Sequence, residues 1–212
     1  MRGVRVEGPT SRSAVRRARA EDIPEVSRVL AWAFVDDPMM NWLHPQGGTS
    51  MVTRSRLSFE LGARYAHHAG EGVDIALDRS GRIAGCAVWL AMHRRPVPPT
   101  SVLATRVALW RIYGRRTARA TNSAALIWKS QALEPHWHLN TLGVAATARG
   151  RGHAHDLMEA GLERSRSMRL PAHLESSRYE NVAFYQRYGF EVTGTVDIPD
   201  NGPRVWLMRY EP

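Results

Sequence analysis

The chain has 212 residues, 43% of them hydrophobic, which suits one domain with a sizeable core. Its formal net charge is +9, carried by scattered arginines with Lys129 the only lysine. This favours anionic partners in general but argues against a nucleic-acid binder, which would show a basic run interleaved with aromatics. No apolar run approaches the roughly 20 residues needed to span a bilayer, and the single cysteine, Cys86, excludes an intrachain disulfide.

In chain order, residues 1–13 lack an apolar signal-peptide core and read as a disordered tail. Nothing in the sequence contradicts a cytoplasmic location. Residues 14–212 carry no repeat and no low-complexity linker, so a single domain is expected. A first strand is expected over 14–19. Asp22 and Pro24 then mark a helix start, a capping residue type and a first-turn proline. Ile23, Val26, Leu30, Ala33 and Phe34 follow at helical spacing, and Asp36-Asp37-Pro38 ends that helix. A short second helix is expected over 38–43 and a long one over 52–68. Residues 72–77 and 82–92 predict a hairpin turning at Ser80-Gly81. After a break at Pro96, Pro98 and Pro99, residues 102–133 read as helix in two pieces. A strand over 137–145, a helix over 151–168 and a strand over 172–177 come next. A helix over 180–188 stops at Gly189, the residue type that favours a helix C-terminus, and strands close the chain at 190–195 and 204–210. Strands and helices mixed along the whole length argue α/β or α+β.

The sharpest feature is Val144-Ala145-Ala146-Thr147-Ala148-Arg149-Gly150-Arg151-Gly152-His153-Ala154. It runs from a strand through a glycine turn into a helix. The first turn of that helix has free N–H groups and the positive end of the helix dipole, and Gly150 and Gly152 let the backbone approach a bulky anion. It is not a P-loop, since no Gly-Lys-Ser/Thr follows, nor the G-x-G-x-x-G dinucleotide fingerprint. On spacing alone, anion binding and a purely structural turn stand as equals.

Arg149-Gly150-Arg151-Gly152-His153-Ala154 resembles the Q/R-x-x-G-x-G/A signature of the GNAT superfamily of N-acetyltransferases. Residues 139–144 resemble that family's central strand. Leu174-Glu175-Ser176-Ser177 and residues 181–190 are similar to its next strand and helix, and Gly202-Pro203-Arg204-Val205-Trp206-Leu207-Met208 fits its ending. Within the superfamily the pattern is most similar to the puromycin N-acetyltransferases. The resemblance implies a GNAT fold: a mixed central sheet of about seven strands, splayed between the fourth and fifth, with helices on both faces. It implies acetyl-CoA as cosubstrate, with the pantetheine arm in the splay against the backbone of Leu142 and Val144. The pyrophosphate would lie on the N–H groups of Arg149, Gly150, Arg151, Gly152, His153 and Ala154. In similar enzymes the tyrosine at the place of Tyr185 meets the coenzyme sulfur, and the asparagine at the place of Asn181 helps bind the cofactor.

Acyl transfer from a thioester needs a neutral amine, a polarised carbonyl and a stabilised thiolate. The N–H of Leu142 or Val144 suits the carbonyl. Tyr185 is the candidate acid; Asn181 lies four residues earlier and so on one helix face with it. The plain alternative for Tyr185 is a core residue with a wet tip. Glu175, on the strand bordering the splay, is the candidate base; a structural carboxylate is its alternative. His138 and Asn140 alternate with Leu139 and Thr141, so they share a face suited to lining an acceptor pocket, or are structural. Asp36 and Asp37 suit a cationic amine at the pocket mouth, or simple helix capping. Cys86, in an apolar stretch, reads as a small hydrophobe. His67, His68, His153 and His155 lack metal-site spacing, and no metal is expected. The expected activity is acetyl transfer to a primary amine of a small molecule, such as an antibiotic-like or metabolite amine. A protein lysine or N-terminal acetyltransferase and a non-catalytic acyl-CoA-binding module are the alternatives. No membrane partner and no specific nucleic acid are expected, and a homodimer is left open.

Overall fold

A computed structural model describes residues 14–44, 48–70, 72–92, 99–130 and 134–212. The expected tail at 1–13 and the break at Pro96 and Pro98 lie outside them. The elements are β1 (Ala14–Arg17), α1 (Ile23–Ala33), α2 (Pro38–Leu43), α3 (Gly48–His68), β2 (Gly72–Leu77), β3 (Ile83–Ala91), α4 (Pro99–Tyr113), α5 (Thr117–Lys129), β4 (Trp137–Val144), α6 (His153–Met168), β5 (Ala172–Ser176), α7 (Val182–Gln186), β6 (Glu191–Asp197) and β7 (Arg204–Tyr210).

The expected elements are present, and their edges moved for local reasons. Asp22 precedes α1 but its side chain does not cap it. The carboxylate instead accepts from Arg16, at 2.7 and 3.0 Å, and from the Arg19 N–H at 2.7 Å. Helix α6 starts at His153 rather than Arg151 because Gly152 stands at φ +87°, outside the helical basin. Helix α7 is shorter than 180–188. A 3₁₀ turn over Tyr179–Asn181 leads into it, and Gly189 at φ +86° turns the chain out, with the N–H groups of Tyr188 and Phe190 both donating to Tyr185 O.

The seven strands form one sheet in the order β1-β2-β3-β4-β5-β7-β6. Every neighbouring pair is antiparallel except β4–β5. That parallel pair holds only through Trp137–Ala172, His138–His173 and Leu139–Leu174, and then parts. The splay expected between the fourth and fifth strands therefore opens at Asn140 and Glu175.

Both faces of the sheet are covered. On one, Leu157, Met158 and Leu162 of α6 pack on Trp89, Leu139, Leu174 and Met208. On the other, Ile23, Val26 and Leu30 of α1 with Phe59 and Ala63 of α3 pack on Ile75, Cys86 and Val88. Helix α6 can lie this close only because Gly161 faces the fully buried Trp89: a Cβ there would overlap the indole ring. The carboxylate of Asp74 on β2, 2% exposed, receives Arg164 of α6 at 2.6 Å and fixes the helix's rotation over the sheet.

One irregularity shapes the centre of the sheet. Thr141 stands opposite Val88 while Leu139 stands opposite Trp89, so β4 spends one residue more than β3 and Asn140 is bulged. The expected common face of His138 and Asn140 does not survive this. Thr141 and His138, opposite Val88 and Leu90, take the same side, and Asn140 is turned out to an exposed position.

Candidate active site

A pocket of about 300 Å³ sits where β4 and β5 part. Its polar groups include Asn140 and Thr141 on β4, Glu175, Ser176 and Ser177 at the end of β5, Asp37 before α2, Ser58 on α3, and Asn181 and Tyr185 at the start of and within the short helix α7. Phe34, Met39, Met40, Phe59 and Ile127 supply an apolar wall, with the Phe34 and Phe59 rings 5.1 Å apart. Among the described residues no lysine or arginine lines it, although the chain as a whole is strongly basic.

Glu175 faces this pocket with its side chain 16% exposed, and its Oε2 lies 3.3 Å from His138 Nε2. Burial and the neighbouring His136 push the His138 imidazole down to about 4, so it is neutral near pH 7 and puts no positive charge beside the carboxylate. His138 itself stands behind Glu175 and does not line the pocket. Tyr185 is 9% exposed. Burial, and then the charge of Asp37, raise its hydroxyl well above the usual tyrosine range, so it stays protonated at any working pH. Asn181 and Tyr185 line the pocket together, as their spacing predicts.

Asp37 both caps and connects. One oxygen accepts from the Met40 N–H at 3.0 Å, and the other accepts from Ser177 Oγ at 2.6 Å. This ties the start of α2 to the end of β5. Asp36 is exposed and lines none of the clefts described here.

A second cleft, about 670 Å³, opens at the start of α6. Val144, Arg149, Gly150, Gly152, His153 and Ala154 line it, and Arg151 does not. Gly150 and Gly152 stand at φ +74° and +87°, and a Cβ on either would meet no protein atom within 4 Å. The turn thus leaves an open bay in front of the helix's free N–H groups. Phe184, Arg187, Tyr188 and His155 form the rest of the wall. Sequence reasoning missed Arg187, and it did not single out Phe184 and Tyr188 as site residues. They do pack against the core, but their free sides face this cleft, and Tyr188 Oη lies 3.0 Å from His155 Nδ1. A helix of five residues is too short for its two faces to part fully. The two clefts share β4 and α7: Leu142 borders the first and Val144 the second, and the Phe184 and Tyr185 rings stand 5.2 Å apart.

Cys86 is fully buried, and burial raises its thiol far above the ordinary range, so no thiolate is available from it. Among the described residues no group of three or more His, Cys, Asp or Glu side chains is placed to hold a metal ion. Also among them, no helix is long and apolar enough to cross a membrane.

Residues 117–212 match the family described as acetyltransferase (GNAT) domain. They include the glycine turn, both parting strands and the Tyr185 helix. That segment carries a GNAT acetyltransferase domain. Relatives extend the likeness beyond it. An uncharacterized N-acetyltransferase of Schizosaccharomyces pombe is 28% identical over 206 residues, covering 92% of this chain and 81% of that one. A Corynebacterium glutamicum structure of histone acetyltransferase HPA2 and related acetyltransferase is 27% identical, with a TM-score of 0.73 over 95% of this chain and 97% of that one. The arylalkylamine N-acetyltransferase 2 of Aedes aegypti shares the fold at 14% identity, with a TM-score of 0.60 over 93% and 98% of the two chains. The chain therefore shares its fold with these acetyltransferases over nearly all of its length, α4 and α5 lying between β3 and β4 in chain order.

Proposed function

We propose that this acetyltransferase moves acetyl from acetyl-CoA to the primary amine of a small molecule by direct attack on the thioester. The supporting observation is the parting of β4 and β5, which sets Glu175, Tyr185 and Asp37 around one small pocket beside the glycine-turn cleft. Acetyl-CoA supplies an activated acyl carbon and a thiolate leaving group. The turn residues Arg149 to Ala154 with Arg187 hold its phosphates, and the backbone of Leu142 and Val144, unpaired with β5, receives the pantetheine arm as an added strand would.

Amines arrive protonated at neutral pH. Asp37 and Glu175 attract that charge in a pocket lined by no cation, and Glu175 takes the proton, directly or through water, so that the nitrogen lone pair can attack. The Leu142 or Val144 N–H polarises the acyl carbonyl. Tyr185 donates a hydrogen bond to the departing sulfur. Its raised pKa makes complete proton transfer to a thiolate, whose acid sits near 8.5, unfavourable, so its role is to stabilise the developing charge.

The test is acetyl-CoA turnover across small primary amines and lysine peptides, with Glu175→Gln beside the wild type. Turnover of small amines that falls at least about ten-fold in Glu175→Gln supports the assignment. Turnover confined to peptides would move the acceptor to protein, and wild-type turnover unaffected by Glu175→Gln would remove that residue from the mechanism.

The coenzyme cleft has its own test. Gly152→Val is expected to weaken acetyl-CoA binding by at least about ten-fold, because valine resists φ +87° and its branches would project into the open bay. Calorimetric titration of a folded Gly152→Val protein with unchanged affinity would sink the phosphate assignment.

A further inference from the structure

A third cavity, about 350 Å³, lies beside the acceptor pocket and apart from the coenzyme cleft, between α3 and the turn joining α4 to α5. Arg54, Arg115 and Arg116 line it, with His44, Ser50 and Tyr113. Elsewhere the chain's arginines commonly meet a carboxylate, as in Arg16–Asp22, Arg28–Glu25, Arg64–Glu60, Arg166–Glu159 and Arg204–Asp197. Among the described residues none of these three is in an ion pair, and no carboxylate lines the cavity. Arg54 spends one donor on the Ile112 carbonyl, at 3.2 Å, which braces the guanidinium and leaves its charge uncompensated.

The histidine in this wall is built into the core. His44 is 4% exposed, its ring lies face to face with Tyr113 at 5.3 Å, and its buried Nε2 has no hydrogen-bond partner among the described residues. A buried polar atom without a partner is costly. Three like charges around one cavity repel one another, and no carboxylate in its lining offsets them. A small oxyanion relieves the repulsion. Guanidinium groups bind phosphate and carboxylate through paired N–H donors, and an anion between them replaces mutual repulsion with attraction.

We propose that this cavity binds a small oxyanion, a phosphate or carboxylate, held by Arg54, Arg115 and Arg116. The anion is either free or the tail of the acceptor molecule. One wall separates it from the acceptor pocket: Tyr113 lines this cavity, and its hydroxyl lies 3.0 Å from Ser58 Oγ, which lines the other.

The experiment titrates inorganic phosphate and citrate into the full chain saturated with CoA, at constant ionic strength, so that the coenzyme cleft is filled. Saturable binding is expected. It should weaken by about ten-fold or more in the Arg115→Gln/Arg116→Gln double variant, since each guanidinium contributes charge-assisted hydrogen bonds. Arg79→Gln, at an exposed site elsewhere, should leave it unchanged. Arg115 and Arg116 sit on the surface turn, and coenzyme affinity equal to wild type will show that the double variant is folded. Absence of saturable binding to the wild type overturns the site, as does equal binding in the double variant. Amine kinetics separate the two sources. Phosphate that raises the amine KM competitively identifies the acceptor's own anionic tail. Phosphate that binds without competing identifies a free anion. Neither outcome depends on Glu175 or Tyr185 being catalytic, so failure here leaves the proposed reaction standing.

Discussion

Replacing Tyr185 by phenylalanine is expected to lower kcat on the order of 10²-fold while leaving acetyl-CoA affinity close to that of the wild type. The hydroxyl matters mainly when negative charge develops on the departing sulfur, so its loss removes transition-state stabilisation rather than ground-state binding. The ring remains, and with it the packing of Tyr185 against Phe184 and Phe190, so the fold should hold. Because burial raises the Tyr185 pKa well above its ordinary value, ionisation of this hydroxyl should add no falling alkaline limb to the wild-type rate profile. The profile should instead rise with deprotonation of the amine or of Glu175 and then level off. Steady-state kinetics across pH with coenzyme titration on both proteins measures this. Undiminished turnover in Tyr185→Phe would exclude the residue from the chemistry. A wild-type alkaline limb that vanishes in the variant would show that its pKa is not raised.

Acid should unfold the protein at milder pH than paired carboxylates alone would require. Burial pushes His44, His138 and His173 each down to about 4 from an ordinary 6.5. Neighbouring positive charge adds to this, from Arg54 and Arg116 at His44 and from clustered histidines at the other two. The unfolded chain binds protons at these residues below about pH 6.5, while the folded chain resists until about pH 4. Stability therefore falls as pH falls through that window. At about 1.4 kcal/mol per pKa unit, each histidine costs roughly 3 kcal/mol by pH 4. His138 and His173 share a cluster with His136, whose ring lies 4.3 Å from that of His173. Their titrations are therefore coupled, and the costs do not simply add. Even two such terms rival the usual 5–15 kcal/mol of a whole fold, an order-of-magnitude comparison. Carboxylates lowered by arginine partners, such as Asp22 and Glu25, lose their contribution from the lower edge of this window downwards. Urea melts from pH 7.5 to pH 4.5 should show a steep loss, shallower in His44→Phe. A flat profile would contradict the burial of these imidazoles as neutral groups.

What the sequence showed and what it hid follow from the range of the interactions involved. The strand–turn–helix around Gly150 and Gly152 is local, and its glycines do stand at positive φ. Hydrophobic spacing placed α1, α3 and α6 within a few residues of their ends. The Asn181–Tyr185 face was legible because four residues make one helical turn. The parting of β4 from β5 was expected only through family resemblance, since no spacing in either strand announces where pairing stops. The bulge at Asn140 was hidden because it is a count of one strand against its neighbour. Asp37 was read as either cap or pocket residue, and it is placed for both because Ser177, distant in sequence, reaches its second oxygen. Arg187 was overlooked because its contribution depends on α7 ending early. The arginine cavity combines α3 with the α4–α5 turn, segments about sixty residues apart, and their scattered arginines looked like general surface charge.

The strand order also sets a schedule for making the protein. The β2–β3 hairpin can zip as soon as it is made, but β7 lies between β5 and β6, which precede it in sequence. On a growing chain β5 therefore has only its three-residue pairing with β4, and β6 has no strand partner, until Arg204–Tyr210 are made. For that interval β5 is an open sheet edge and β6 an unpaired strand, and both are able to pair with another chain. Stalling the ribosome with β7 still in the exit tunnel would hold the polypeptide at this stage, when a holdase covering β5 and β6 would be of most use.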